Sequence, residues 1–261
     1  MSPRLRTPAV ILLSALFVLA LLAPYVAPFA PDAVDLASRR TAPGLLHWFG
    51  TDALGRDVLS RVLYGARVSL AVGVLSAALA VSLGVAIGAL AGYVGRALDA
   101  ALMRLTDAML SIPRLPLLMV LGAILQPSVP ALVLLVGAAG WMETARVTRA
   151  EVLSIRGRGF VEASRAVGAT VERQIWRHVL PTALPAIAVA ATLAVGRGIL
   201  LESTLSFFGV GVQPPAASWG NMLYQAQSTM STEPWLALFP GLMIFLTVVA
   251  INSLGERLAR G

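Results

Sequence analysis

From Val68 to Gly95 the chain carries no charged side chain, and the same holds from Thr7 to Pro31, from Leu115 to Met142 and from Pro234 to Leu254. An α-helix needs about 20 apolar residues in succession to cross the hydrocarbon core of a bilayer, and each of these blocks is long enough. A fifth block, Leu184 to Leu201, is interrupted only by Arg197 between Gly196 and Gly198. Only 13% of the residues are charged, where a soluble domain carries about 25%. Leu115–Met142 is broken by Gln126-Pro127-Ser128-Val129-Pro130, which divides it into two spans over 102–125 and 130–146 joined by a tight turn. The expected fold is an all-α polytopic membrane protein with six transmembrane helices.

In chain order, residues 1–30 comprise an amino-terminal arm and a first helix from about Pro8 to Pro28. The alternative is a signal peptide, but the apolar stretch exceeds the 7–15 residues usual for one. Pro24 and Pro28 are expected to kink or end this helix. Residues 31–67 form an external loop. Its segment HWFGTDALGRDVLSRVLYGARVSL opens with a helix cap at Thr51 or Asp52. Val58, Leu59, Val62 and Leu63 then share a face, with Arg56, Asp57 and Arg61 off it. That pattern fits an amphipathic helix on the membrane surface or an ordinary helix in a soluble loop. Residues 68–261 form a five-helix core. Within it Ser76, Ala80, Gly84, Gly88 and Gly92 recur every four residues, a small-residue ridge that lets a second helix approach closely. Asp107 and Arg114 fall deep in the span 102–125, with Arg104 near its end and a kink expected at Pro113 and Pro116. Ionisable groups at such depth face protein or a watery cavity. Trp219 and Trp235 are candidate interfacial anchors.

The charges are concentrated elsewhere. Glu143 to Pro181 holds seven of the chain's 20 basic residues and four of its 13 acids. Thirteen arginines fall in segments expected inside and five outside, all five in the first outer loop, so the positive-inside rule puts both termini and this charged island in the cytoplasm. Every basic residue counted is Arg. A phosphate-binding P-loop needs a Lys, so any ATP that drives the process is bound, with its Mg, by another subunit. Cysteine is absent, which excludes disulfides, thiolate ligands and a cysteine nucleophile. Acids are interspersed among the arginines of a membrane-tethered segment, which argues against nucleic acid.

The island, with its coupling loop over 147–183, predicts a helix–turn–helix between the fourth and fifth spans. Phe160–Val167 is helix-compatible, Gly168 is a break, and Thr170 caps a second helix with Glu172 in its first turn. Val171, Ile175 and Val179 share one face of that second helix, and Pro181 ends it. Ala163, Ser164 and Ala166 are small enough for a partner groove to come close, and Glu162 offers it one charge.

Glu162-Ala163-Ser164, three residues, Gly168, nine residues, His178, one residue and Leu180-Pro181 resemble the EAA loop of ATP-binding-cassette importer permeases. Ser164 replaces the usual second alanine, and His178 resembles the peptide/nickel branch. HWFGTDALGRDVLSRVLYGARVSL, LMRLTDAMLSIPRLPLL and ESTLSFFGVGVQPPAASWGNML with PWLALFPG are similar to the same branch, the C-type permease of dipeptide, oligopeptide, nickel or glutathione importers. The usual acidic extension after the last span is represented by Gly255-Glu256-Arg257-Leu258-Ala259-Arg260. The resemblance implies a cell-membrane permease that pairs with a homologous permease, two ATP-binding-cassette ATPase subunits and an extracytoplasmic binding protein. It implies coupling to the ATPase through Glu162, Ala163, Ser164, Ala166 and Gly168, with His178, Leu180 and Pro181 shaping the loop. The chain itself would have no catalytic residue, cofactor or metal. Peptides are the expected cargo.

Arg197, Asp107 and Arg114 are the candidates for the translocation pathway. Arg197 pairs either with a substrate carboxylate or with an acid such as Asp107 or Glu202. The rival reading is a proton-coupled secondary transporter that uses the same three residues, although the internal repeats of such transporters are not evident. A membrane-embedded enzyme is disfavoured by the lack of paired acids, metal-ligand clusters or a Ser–His–Asp set. With His47 the only other histidine, a nickel site is not expected, and His178 reads as structural.

Overall fold

A helix of 37 residues, α2 (Val58–Val94), forms the axis on which the other elements pack. The computed structural model describes residues 6–126 and 128–259, without the side chains of Arg6 and Thr7. Arg4 and Arg260, counted above as inner charges, and Pro127 of the expected turn lie outside them. The remaining helices are α1 (Arg6–Val26), α3 (Arg96–Ser111), α4 (Arg114–Leu125), α5 (Val129–Ala138), α6 (Trp141–Ile155), α7 (Gly159–Ala166), α8 (Val171–Gln174), α9 (Leu180–Phe207), α10 (Trp219–Ala226) and α11 (Trp235–Leu258). A π-helical segment, Ile175–Val179, joins α8 to α9.

Among the described residues, four stretches are long and apolar enough to cross a bilayer singly: Pro8–Val26, Val58–Val94, Val171–Phe207 and Trp235–Leu258. Two bent pairs, α3 with α4 at 76° and α5 with α6 at 42°, bring the number to as many as six. The span expected at 102–125 is thus broken where its kink is expected, and the one expected at 130–146 is bent as well. At the first break Ile112 is extended (φ −80°, ψ 124°), the conformation imposed on a residue before proline, here Pro113. Pro116 sits in the first turn of α4, where its missing N–H costs nothing.

The small-residue ridge seals α2 to α6. A Cβ on Gly84 would lie 2.7 Å from the Trp141 carbonyl oxygen, and one on Gly92 would lie 2.9 Å from that of Arg149. Gly88 meets the Ala145 carbonyl in the same way. The register advances by four residues on both helices in the same sense, so α2 and α6 run parallel with backbones in contact. On the neighbouring face Gly198 of α9 meets Gly73 and Ser76, and Ile199 meets Gly73.

Several expectations are corrected here. The segment after Thr51 is not a separate surface helix. Asp57, not Thr51 or Asp52, caps α2, accepting from the Ser60 amide at 2.8 Å, and the helix runs unbroken through the boundary placed at 67/68. Arg56, Asp57 and Arg61 are buried rather than turned to solvent, because each finds a partner. Asp57 accepts from His47 at 2.9 Å, Arg56 from its Nε donates to Asp52 at 2.7 Å, and Arg61 donates to the Pro31 carbonyl at 3.0 Å. Trp219 is no interfacial anchor. It is fully buried, its indole N–H donating to the Val62 carbonyl at 3.1 Å, behind a capping box of Ser218 and Asn221.

Pro181 does not end the second helix of the coupling loop either. A proline inside an α-helix clashes with the carbonyl four residues back and removes one N–H. The π-helical turn before it widens the backbone, with the Leu180 N–H bonding the Ile175 carbonyl five residues back, and the chain continues into α9 with Pro181 in its first turn.

Candidate functional site

The charged island folds as α7, a turn and α8, and the turn is set by Gly168. Its φ is +83°, the left-handed region that glycine enters without a Cβ penalty. The Ala169 N–H bonds the Ser164 carbonyl at 3.1 Å and the Gly168 N–H bonds that of Arg165 at 3.0 Å. This Schellman pattern satisfies the last carbonyls of α7. No atom lies within 4 Å of where a Gly168 Cβ would stand, so conformation alone, not crowding, demands glycine. Thr170 then caps α8, its hydroxyl accepting from the Arg173 N–H at 3.3 Å. Break and cap both lie where the sequence puts them.

Among its residues α7 buries only Val161. Glu162, Ala163 and Ala166 are exposed, Ser164 is half-buried, and Phe160 and Val167 present apolar side chains to the outside. The concave side of the loop encloses about 460 Å³, lined by Ala163, Ser164, Val167, Gly168, Arg173 and His178 among others. Glu162 stands outside that cup. Of the face predicted for the second helix, Ile175 and Val179 are buried, whereas Val171 is exposed. Leu180 packs at the edge of the same core and Pro181 is exposed.

The loop is fastened to the end of α2. Val161, Ile175 and Val179 share one apolar cluster with Ala89 and Tyr93 of α2 and with Val152 and Ile155 of α6. Above it the Tyr93 hydroxyl donates to Gln174 Oε1, and Gln174 Nε2 donates to the Ala169 carbonyl at 2.7 Å. Arg156 donates to the Gly92 carbonyl at 2.9 Å. Arg165 reaches the Tyr93 hydroxyl at 3.4 Å, a contact that holds its guanidinium pKa above the ordinary value. The sequence reading missed Tyr93 and Gln174, since nothing local marks a tyrosine at a helix end as the partner of a glutamine 81 positions away.

The three pathway candidates do not come together. Arg114 Nη2 donates to Glu143 Oε1 at 3.2 Å, and Arg197 Nη1 donates to Glu143 Oε2. Asp107 pairs instead with Arg146, one turn further along α6. Arg197 thus meets neither Asp107 nor Glu202. Glu202 is fully buried and accepts from Ser69 at 2.9 Å and Ser206 at 2.8 Å, tying α9 to α2. Glu143, at the end of the span expected over 130–146 and the start of the charged island, is not among the pathway candidates. The available signal was spacing: Glu143, Arg146 and Arg149 lie three apart on one face of α6, and their partners Arg114, Asp107 and Asp99 follow in reverse order along α4 and α3. Among the described residues no three of His, Cys, Asp and Glu are grouped to hold a metal.

Residues 84–261 match the family described as the binding-protein-dependent transport system inner membrane component. Over 250 residues the chain is 43% identical to a protein of Brucella suis biovar 1 named as a peptide permease, covering 95% of this chain and 83% of that one. It is 38% identical to the dipeptide transport system permease protein of Bacillus subtilis, over 93% of this chain and 76% of that protein. It is also 38% identical to a D,D-dipeptide transport system permease protein of Escherichia coli, over 98% and 85%. Among solved structures, an inward-facing form of the MetNI methionine ABC transporter aligns with a TM-score of 0.63 at 22% identity, over 77% of this chain and 95% of that chain, a likeness of fold. The chain belongs to the family of inner membrane components of binding-protein-dependent transport systems.

Proposed function

We propose that this permease carries di- and oligopeptides inward as one half of a heterodimeric pore, paired with a homologous permease. Two ATP-binding-cassette subunits or domains bind ATP and Mg on the cytoplasmic side, and a binding protein delivers peptide from outside. Relatives named as peptide and dipeptide permeases support the cargo class. The arginine distribution supports cytoplasmic termini and a cytoplasmic coupling loop.

The observation that carries the mechanism is the imbalance of the coupling loop. Val161 is the one residue that α7 buries, while Glu162, Ala163 and Ala166 project outward. A helix so exposed, with small residues on its outer side, is a plug for a groove on another protein. The ATPase subunits take α7 in that way, with Ala163 and Ser164 allowing close approach, Glu162 supplying a charge and Gly168 fixing the angle to α8. His178, Leu180 and Pro181 hold the far end of the loop. ATP-driven closure moves α7; the Tyr93–Gln174 contacts and the shared apolar cluster pass the displacement to α2 and α6. The chain supplies contacts that differ between inward- and outward-open states, which is all a ligand-driven shift requires.

The proton-coupled alternative needs Asp107, Arg114 and Arg197 as one relay, and the pairing of Asp107 with Arg146 speaks against it. The test is reconstitution of the importer in liposomes. ATP-dependent uptake, abolished by Glu162→Lys without loss of the assembled pore, is the expected result. Uptake that follows a proton gradient in the absence of the ATPase subunits would overturn the reading.

A further inference from the structure

Arg197 stands about 15 Å below the Phe207 end of α9, at 1.5 Å per residue. It therefore lies within the apolar span Val171–Phe207, farther from that end than one or two helical turns. Its side chain and that of Glu143 are 39% and 37% exposed on this chain. Charged groups at such depth are not left against lipid; they meet protein or a water-filled path. Ser76, Ala80, Gly140 and Gly198 line a shallow recess with Arg114, Glu143 and Arg197, and Val136 and Leu201 also stand on its wall.

The charge count is the decisive feature. Two guanidiniums share one carboxylate, which leaves the trio one positive charge in excess. The Glu202 carboxylate is engaged by serine hydroxyls and Asp107 by Arg146, so neither supplies the missing anion. A guanidinium presents a planar fork that matches a second carboxylate.

We propose that the Arg114–Glu143–Arg197 trio is an anion site in the translocation path, at which Arg197 takes the free C-terminal carboxylate of a peptide in transit. The site rests on the importer reading for its cargo, not for its charge. Glu143 acts as a positioning residue: it retains Arg114 and yields the Arg197 fork when the peptide carboxylate arrives. Release toward the cytoplasm follows as Glu143 takes the fork back, so the site binds without trapping. The rival source of the missing anion is an acidic side chain of the partner permease, and the test separates the two.

The experiment uses the whole importer in proteoliposomes, supplied with its binding protein saturated either by a dipeptide or by the same dipeptide amidated at its C-terminus. Arg197→Gln is expected to lower free-acid uptake about tenfold while amide uptake changes less than about twofold, with Arg197→Lys recovering part of the difference. Glu143→Gln is expected to slow release of the free acid and spare the amide. Equal losses for acid and amide would overturn the proposal in favour of a structural role, as would no loss for either. A second arm exploits the cysteine-free sequence. Leu201→Cys, which lines the same recess, is labelled with anionic and cationic methanethiosulfonates. Faster anionic labelling, lost in Arg197→Gln, is expected. Equal rates, or no labelling in any state, would mean that protein neutralises or seals the trio, and would sink the site. If the wild-type importer moves neither peptide while anionic labelling stays favoured, the peptide reading fails and the anion site stands.

Discussion

The chain uses glycine in two regions for opposite reasons. In the α2–α6 seam, Gly84, Gly88 and Gly92 have carbonyls of the neighbouring helix where a Cβ would go. In the coupling loop, Gly168 has open space around it and a φ of +83°. The first region is made of dry backbone contact and the second of backbone conformation under an exposed helix. A seam of that kind fixes helices to each other within one chain. A loop of that kind fixes only its own angle and leaves its outer surface for another protein.

The contrast breaks most severely at the seam. Gly88→Val is expected to cost at least the 1–3 kcal/mol typical of overpacking, because the obstacle is backbone that has no rotamer to yield. The loss should show as a lower unfolding midpoint of the detergent-solubilised permease and poor recovery from the membrane. Gly168→Ala should cost about 1–2 kcal/mol of left-handed strain, confined to the loop: the midpoint stays near wild type while transport per ATP hydrolysed falls. If Gly168→Ala lowered the midpoint as much as Gly88→Val, the two regions would not differ as described.

Smaller changes sharpen the same comparison. Tyr93→Phe removes the hydroxyl that joins α2 to Gln174 and leaves a partner unsatisfied, a cost of roughly 1 kcal/mol. Faster hydrogen exchange over 165–175 with unchanged exchange in the middle of α2 is the expected signature. Thr170→Ala deletes the cap of α8, worth about 1 kcal/mol or less at so exposed a helix start, and should loosen 170–174 alone. Exchange that rose equally along α2 in either variant would deny that the loop is a separate, lightly fastened unit.

What was legible in the sequence was whatever repeats or caps locally. Ser76, Ala80, Gly84, Gly88 and Gly92 announced a seam by spacing, and Gly168 with Thr170 announced a break and a restart. The uncharged blocks announced the spans. What was not legible depended on partners distant in sequence. Arg61 and Asp57 read as surface charges because Pro31 and His47, which satisfy them, come from another part of the fold. Trp219 read as an interfacial residue because its burial against α2 is tertiary. Pro181 read as a stop because a π-helical turn that accommodates proline has no composition of its own. Glu143 did not read as a partner of Arg197 because the two are 54 positions apart and meet only through the packing of α6 on α9.

The central claim, that α7 is the surface reserved for the ATPase subunits, is tested most directly by single-cysteine protection. In the cysteine-free chain, Ala163→Cys on the exposed side of α7 is labelled with a maleimide in the permease pair alone and in the assembled importer, with Trp176→Cys, also exposed, as a second position. Strong protection of Ala163→Cys on addition of the ATPase subunits, with clearly weaker protection of Trp176→Cys, is the predicted result. Equal labelling of Ala163→Cys with and without those subunits would contradict it.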